Sequence, residues 1–404
     1  MYVTKRLSQL LQSPETMAAS PEGPNSGYLV IQDEESETYS CFGACKNRTL
    51  KELPFPQNKE LTVRYRTGGE HSRTYRDPVF LIPVLNQPLS ANRYYAVVPH
   101  RRQIGEAYAC SREDDKVTCC IFSCISDAEP RPLDPRDVYQ QIQIVPYEGL
   151  CLTGGSFTAA SVAPDGFPPS FFRRKGWTIY TKSGDNCELS TAEGVDFKIR
   201  ARLPDFNFSL PLVASDAVTV GKWYCPAMFV KEGTLTLREQ VKRSMYYAIT
   251  LEQRWEQIFA CSRTDQNSRR VTIDASIDRE EAFVGGMRAA WSEAEGWVWF
   301  RAVKAMGEEE RSSVCLRAEV VQRMKWEEER FGSGSESESG FGYGHGWSGK
   351  QQQVKINRVE ELEEWNEFGC YVLVERFCIR RLMDGSVVMT YDFKHIDKIK
   401  NKWH

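Results

Sequence analysis

The chain has 404 residues, 41% hydrophobic and 26% charged, with a formal net charge of −3 and a pI near 6.1. That length holds two or three domains, and the composition is that of an ordinary folded protein rather than a disordered one. The charge balance supplies no global basic footprint for nucleic acid, and no stretch approaches the ~18 continuous apolar residues of a membrane helix.

The 13 cysteines are dispersed over the whole sequence. Residues 1–12 contain Lys5 and Arg6 but no apolar run, so no secretory signal is read, and reduced thiols in the cytoplasm or nucleus are the expectation.

In chain order, residues 1–26 form a polar segment ending in Pro21-Glu22-Gly23-Pro24. Short alternating runs at 27–32, 39–45, 61–65, 79–85, 94–98, 107–111, 117–122 and 141–145 then predict strands of a first β domain over 27–153. Residues 154–170, with Pro164, Pro168 and Pro169, read as a linker into a second β domain over 171–331. There a helix is expected before Met245 and a strand from Leu251 onward. Val271, Ile273, Ala275 and Ile277 alternate with polar residues in the surest strand of the chain, and 297–303 follows as another. Over 312–331 both periods survive. The favoured reading is a long strand. The other is a helix with Leu316, Val320, Met324 and Phe331 on one stripe and Gly332 as its stop.

Residues 332–350 are a low-complexity insert of Ser-Glu repeats and glycines interleaved with Phe341, Tyr343, His345 and Trp347, a composition unable to bury a core. Over 351–404, Asn357 and Glu360 suggest a helix cap and Gly369 a helix stop. A hairpin then pairs 371–380 with 387–393 across Asp384-Gly385.

One pentapeptide returns. Tyr108-Ala109-Cys110-Ser111-Arg112 comes back as Phe259-Ala260-Cys261-Ser262-Arg263, and Gly27-Tyr28-Leu29-Val30-Ile31 has its counterpart in Gly176-Trp177-Thr178-Ile179-Tyr180. The spacing predicts two tandem related β domains with Cys110 and Cys261 at equivalent positions. The fold class expected is therefore mainly β, a β-rich α+β protein with few short helices and long antiparallel strands in its second domain.

The runs MYVTKRLSQ, PEGPNSGYLVIQDEE, SFFRRKGWTIY, TLEQRWEQIFACSR and YVLVERFCIRRLMDGSVVMTYDFKH resemble the plant family known as domain of unknown function 1262. The resemblance spans nearly the whole chain and implies a plant origin. It brings no activity, cofactor or catalytic residue with it.

Motif chemistry is absent: there is no phosphate loop, no His-Glu-x-x-His helix, no acidic calcium loop and no Gly-x-Ser-x-Gly turn. Only His71, His100, His345, His395 and His404 are available as imidazole bases. Cys41, Cys45, Cys120 and Cys124 form two Cys-x-x-x-Cys pairs that could hold zinc, but on strands this spacing puts both thiols on one face, which suits core packing. Cys110 and Cys261 fit core positions. Arg112 and Arg263 are expected to pair with Asp114 and Asp265.

Trp223, Tyr224, Trp255, Trp297, Trp299 and Trp326 fit a thick β core or, failing that, a ligand groove. Lys394, Lys398, Lys400 and Lys402 read as a solvated basic tail rather than a phosphate site. No catalytic, cofactor-binding or metal-binding residue is therefore assigned, and no cofactor. The expectation is a non-enzymatic intracellular binding protein with protein partners. The alternatives are a membrane-active, pore-forming-like β protein and an enzyme whose Cys and His meet only on folding.

Overall fold

A computed structural model describes residues 1–40, 45–68, 71–100, 102–119, 122–148, 155–233, 235–263, 269–303, 312–332 and 353–404. The protein is β-rich α+β and divides into two compact units. Unit 1 is Met1–Ala192 with Cys225–Tyr246, and unit 2 is Glu193–Tyr224 with Tyr247–His404. These units differ from a division at 154–170: Phe157–Ser161 is a strand of unit 1, and Phe171 and Phe172 are buried in its core. The prolines of that stretch lie inside the unit because the aromatic residues on either side of them belong to one core.

Unit 1 opens with a parallel pair, β1 (Tyr2–Arg6) and β2 (Gly27–Ile31), in which Tyr2 stands opposite Gly27. A Cβ on Gly27 would fall 2.4 Å from the Tyr2 ring, so the glycine leaves room for that ring. The main sheet is antiparallel. Its strands are β3 (Lys59–Arg66), β4 (Thr74–Pro83), β5 (Arg93–Val97), β6 (Gln141–Pro146), β7 (Phe157–Ser161) and β8 (Thr178–Asn186), in the order β7-β6-β5-β4-β3-β8, with the short Thr49–Leu50 at the edge beside β8. Its core gathers Phe55, Tyr94, Phe157, Phe172 and Trp177, and the Trp177 Nε1–H donates to the Phe172 carbonyl at 3.2 Å.

Unit 2 is built on one antiparallel sheet. Its strands are β9 (Tyr246–Ser262), β11 (Glu280–Val284), β12 (Met287–Ala294), β13 (Trp297–Ala302), β14 (Ser313–Arg317), β16 (Glu367–Arg381) and β17 (Val387–Trp403), in the order β14-β13-β12-β11-β17-β16-β9. A separate ribbon pairs β10 (Arg270–Asp278) with β15 (Gln353–Glu361). The ribbon buries Val271, Ile273 and Ile277 with Cys370, Val372 and Val374 of β16. Elsewhere the long strands carry ion pairs between Arg254 and Glu256, Arg376 and Asp392, and Lys394 and Glu281. Among the described residues two helices complete the unit, α1 (Phe197–Arg202) and α2 (Ala318–Gly332).

The 312–331 ambiguity resolves into both answers in succession. Val314-Cys315-Leu316 pair with β13, and from Ala318 the helix-forming Glu, Gln, Arg and Lys residues take over as α2. The helix expected from Asn357 is instead strand β15, where Asn357 faces Asp274 and Ile356 faces Ala275. A cap signature spans only four residues, and burying Ile356 outweighs it. Gly369 lies inside β16, where a Cβ would meet the Tyr371 ring at 2.8 Å and Leu210 at 3.1 Å.

The hairpin across Asp384-Gly385 is present, with Gly385 at φ +69° and Asp384 Oδ1 accepting from the Ser386 N–H at 2.9 Å. Its second strand runs on to Trp403, so the four terminal lysines belong to a strand rather than a solvated tail.

The repeated pentapeptide lies on unlike elements. Around Cys110 the backbone bonds to several separate segments: Tyr108 N–H to Ala96, Cys110 N–H to Tyr139 and Ser111 N–H to Phe167. Around Cys261 it lies in a regular ladder, with Phe259 opposite Cys370 and Cys261 opposite Phe368. The same side-chain pattern serves a threaded loop in one place and a strand end in the other, so the pentapeptide does not mark a repeated element. The insert from 333 onward lies outside the described residues.

Candidate functional site

In β16 the residues Tyr371, Leu373, Glu375 and Phe377 alternate toward one face and are fully buried. One of them is an acid. Register puts Gln253 of β9 opposite Glu375, and His395 of β17 opposite Leu373, so both polar groups share the face of Glu375. The last turn of α2 lies over that face, since Glu328 and Phe331 both touch His395. Arg200 arrives from α1, whose start is fixed by Asp196 accepting from the N–H groups of Lys198 and Ile199 at 2.9 and 3.0 Å.

The Arg200 guanidinium forks onto Glu375. Its Nε–H donates to Oε1 at 2.8 Å and its Nη2–H to Oε2, while Nη1–H donates to the Glu327 carbonyl at 3.0 Å. Gln253 Nε2–H donates to Glu375 Oε1 at 2.7 Å and to the Arg200 carbonyl at 3.1 Å. His395 Nε2 lies 3.1 Å from Glu328 Oε2 and 3.3 Å from Glu375 Oε2. Arg323 pairs with Glu327 one turn away on α2. Phe331 closes the cluster, with its ring 4.2 Å from the Arg200 guanidinium and edge-on to His395 at 5.2 Å. Arg200 and Glu327 are 1% exposed, Glu375 is not exposed at all, and Glu328 and His395 are 8% exposed.

Burial sets the electrostatics. It raises the Glu328 carboxyl to about 8, helped by the Glu375 charge and only partly opposed by His395 and Arg200. Burial pulls His395 down, but its bonds to Glu328 and Glu375 more than offset this and leave it at about 9. For Glu375, burial would raise the carboxyl, yet the bonds from Arg200 and His395 hold it well below the usual range. At neutral pH His395 is therefore a cation lying between two acids.

Glu328, Glu375 and His395 bring one ligand atom each within 4.8 Å of one another. A metal ion does not fit there. Arg200 already engages both Glu375 oxygens and stands 3.5 Å from Glu328 Oε1, so a dication would have to sit against a guanidinium. Among the described residues, no hydroxyl or thiol contacts any of the four groups. The cluster holds protons and charge pairs.

A second constellation lies at the end of β17. Lys400 Nζ is 4.8 Å from the Trp255 ring, Lys402 Nζ is 5.1 Å from that of Phe208, and Lys398 Nζ is 3.7 Å from that of Phe331. Phe206 and Phe208 lie on Trp255 and Tyr371 and are only half-buried, while Trp403 is 48% exposed. Among the described residues, neither Lys400 nor Lys402 has a carboxylate within ion-pair reach. Unit 1 has a cleft of about 640 Å³ that mixes Leu10, Met17 and Tyr147 with Lys51, Glu52 and Glu148.

The residues singled out from sequence fall elsewhere. Cys41 and Cys120 lie outside the described residues, as do the side chains of Cys45 and Cys124. Cys110 is buried and Cys261 half-buried. Arg112 stacks on Tyr139 at 4.3 Å while its backbone N–H bonds Asp115, and Arg263 Nη1–H reaches the Trp365 carbonyl at 3.4 Å. Asp265 is outside the described residues. Trp223, Tyr224 and Trp255 are core residues. Lys394 is enclosed between Glu256 and Glu281. Sequence reasoning passed over Arg200, Glu328 and Glu375. The signal for Glu375 was there, an acid in register with Leu373 and Phe377 on an otherwise apolar face.

Residues 22–121 match the family described as protein of unknown function (DUF1262). No curated protein matches the sequence. Among solved structures, "Crystal structure of Cry35Ab1" shares 10% identity over 86% of this chain and 90% of that chain, with a TM-score of 0.43. At that identity and score the likeness bears on neither function nor partner.

Proposed function

We propose that this chain is a non-enzymatic interaction protein whose unit 2 offers the basic, aromatic-backed end of β17 to an extended acidic peptide. The observation that carries this reading is the pair Lys400 and Lys402. Cations elsewhere in unit 2, such as Arg200, Arg376 and Lys394, answer to carboxylates of the same unit, whereas among the described residues these two rest on aromatic rings and a carbonyl.

Residues 399–403 pair with β16 on one side, and β11 reaches only as far as Phe393 on the other. Among the described residues, that leaves backbone groups and side-chain cations together along one edge, the combination that β-strand addition uses: main-chain bonds for affinity and alternate side chains for selection. Lysines also deter pairing between copies of such an edge, so they select for opposite charge. A plant origin and an intracellular location are further inferences, resting on the family resemblance and the 13 cysteines.

The test is fluorescence anisotropy of the full chain with a labelled peptide of alternating Glu and Val, against its Lys-Val counterpart. Binding should be confined to the acidic peptide, weaken with salt, and fall about tenfold in the Lys400→Gln/Lys402→Gln variant, given that exposed pairs contribute ~0.2–1 kcal/mol each. Equal binding of the two peptides, or an unchanged double variant, would remove this reading.

A further inference from the structure

We propose that the proton on His395 is a latch that seats the last turn of α2 on the sheet of unit 2, and that its loss in mildly alkaline solution releases that turn. Three elements meet at the latch: α2 supplies Glu328, β16 supplies Glu375 and β17 supplies His395. The surrounding charges are Arg200 from α1, Glu327, Arg323 and Arg330 from α2, Lys398 beside Phe331 on β17, and Tyr391, whose phenol feels the Glu328 charge. Gln253 of β9 is the neutral member.

These partners are unequally shared. Glu375 is engaged by Arg200 and Gln253, and Glu327 by Arg323, whereas Glu328 has His395 at 3.1 Å as its nearest partner and Arg200 only at 3.5 Å. With His395 protonated, one cation lies between the carboxyl groups of the helix and of the sheet. Once it is neutral, a buried Glu328 carboxylate faces a buried Glu375 carboxylate, and separating them means lifting the turn of α2 that carries Glu328 and Phe331. Neither can move alone, since Phe331 packs on the same imidazole.

The sign follows from the direction of both shifts. Glu328 and His395 each bind their proton more tightly in the seated state than in the released one, so seating is complete in mild acid. It is lost as pH rises through about 8 to 9.

Amide exchange of the full chain, read as protection factors so that the chemical rate is removed, tests this. Peptides covering 323–332 should lose protection at least about tenfold between about pH 7 and pH 9.5, the change one unit of pKa difference brings, while those from β9 stay constant. The Glu328→Gln variant, which needs no proton, should keep its protection across the range. The His395→Gln variant, which lacks the cation bridging helix and sheet, should show lower protection than the wild type over 323–332 at neutral pH. Constant protection in the wild type, or Glu328→Gln losing protection alongside it, overturns the latch. Should His395→Gln fail to fold, the Glu328→Gln comparison decides the matter alone.

Discussion

Ile273 and Arg358 stand directly opposite each other across the β10–β15 ribbon, and Val271 stands likewise opposite Glu360. Directly opposed residues project to the same side of a sheet, so the apolar face that packs on Cys370 and Val372 carries two charges on its second strand. A lipid-facing surface would have to bury them, at about 2–4 kcal/mol for a basic residue at the bilayer midplane. We therefore expect no leakage from dye-loaded neutral or anionic liposomes at micromolar protein. Leakage that disappears when Thr272 and Val359, themselves opposed, are cross-linked through introduced cysteines would reinstate a membrane-active reading.

Arg200 and Glu375 predict a pair of stability effects. Arg200→Met leaves a buried carboxylate without its fork and should cost about 3–5 kcal/mol, whereas Arg200→Met with Glu375→Leu should recover most of the loss. Denaturant unfolding measures both. Because the Glu375 carboxyl is held well below its usual range, its contribution is present above the unfolded value and fades as pH falls below it, so Arg200→Met should also blunt the acid side of the stability profile. A double variant as unstable as the single one would mean that Arg200 acts by shape and not by charge.

The thiols should react in order of exposure. Burial pushes Cys225 up to about 12 and Cys370 up to about 11, while Cys261 is half-buried at a strand end with a smaller rise. Alkylation of native protein near pH 8, followed by peptide mapping, should modify Cys261 well before Cys225. Equal rates would show that the Cys225 site opens readily.

Gly369→Ala should destabilise by about 1–3 kcal/mol, since its Cβ would meet the Tyr371 ring at 2.8 Å and Leu210 at 3.1 Å. Gly68→Ala is the control. Nothing lies within 4 Å of its Cβ, and thermal unfolding should be unchanged to within about 0.5 kcal/mol.

Sequence alone determined the β-rich class, because the two-residue period of Val271 to Ile277 and the Asp384-Gly385 turn are local signals that the chain reads the same way wherever it packs. It also located the helix before Met245, found as Leu237–Arg243, and the strand after it. What failed was every inference that treated a local likeness as a shared environment. The cap at Asn357 and the pentapeptide around Cys110 and Cys261 both depend on which distant segment supplies the hydrogen bonds, and no pattern within a few residues encodes that. The buried cluster lies further out of reach, since Arg200 precedes Glu375 by 175 residues. Periodicity could mark Glu375 as an acid facing inward. Only the tertiary structure could supply the guanidinium that neutralises it and the imidazolium that joins it to α2, because a buried charge is stabilised by whatever the fold brings within hydrogen-bond reach.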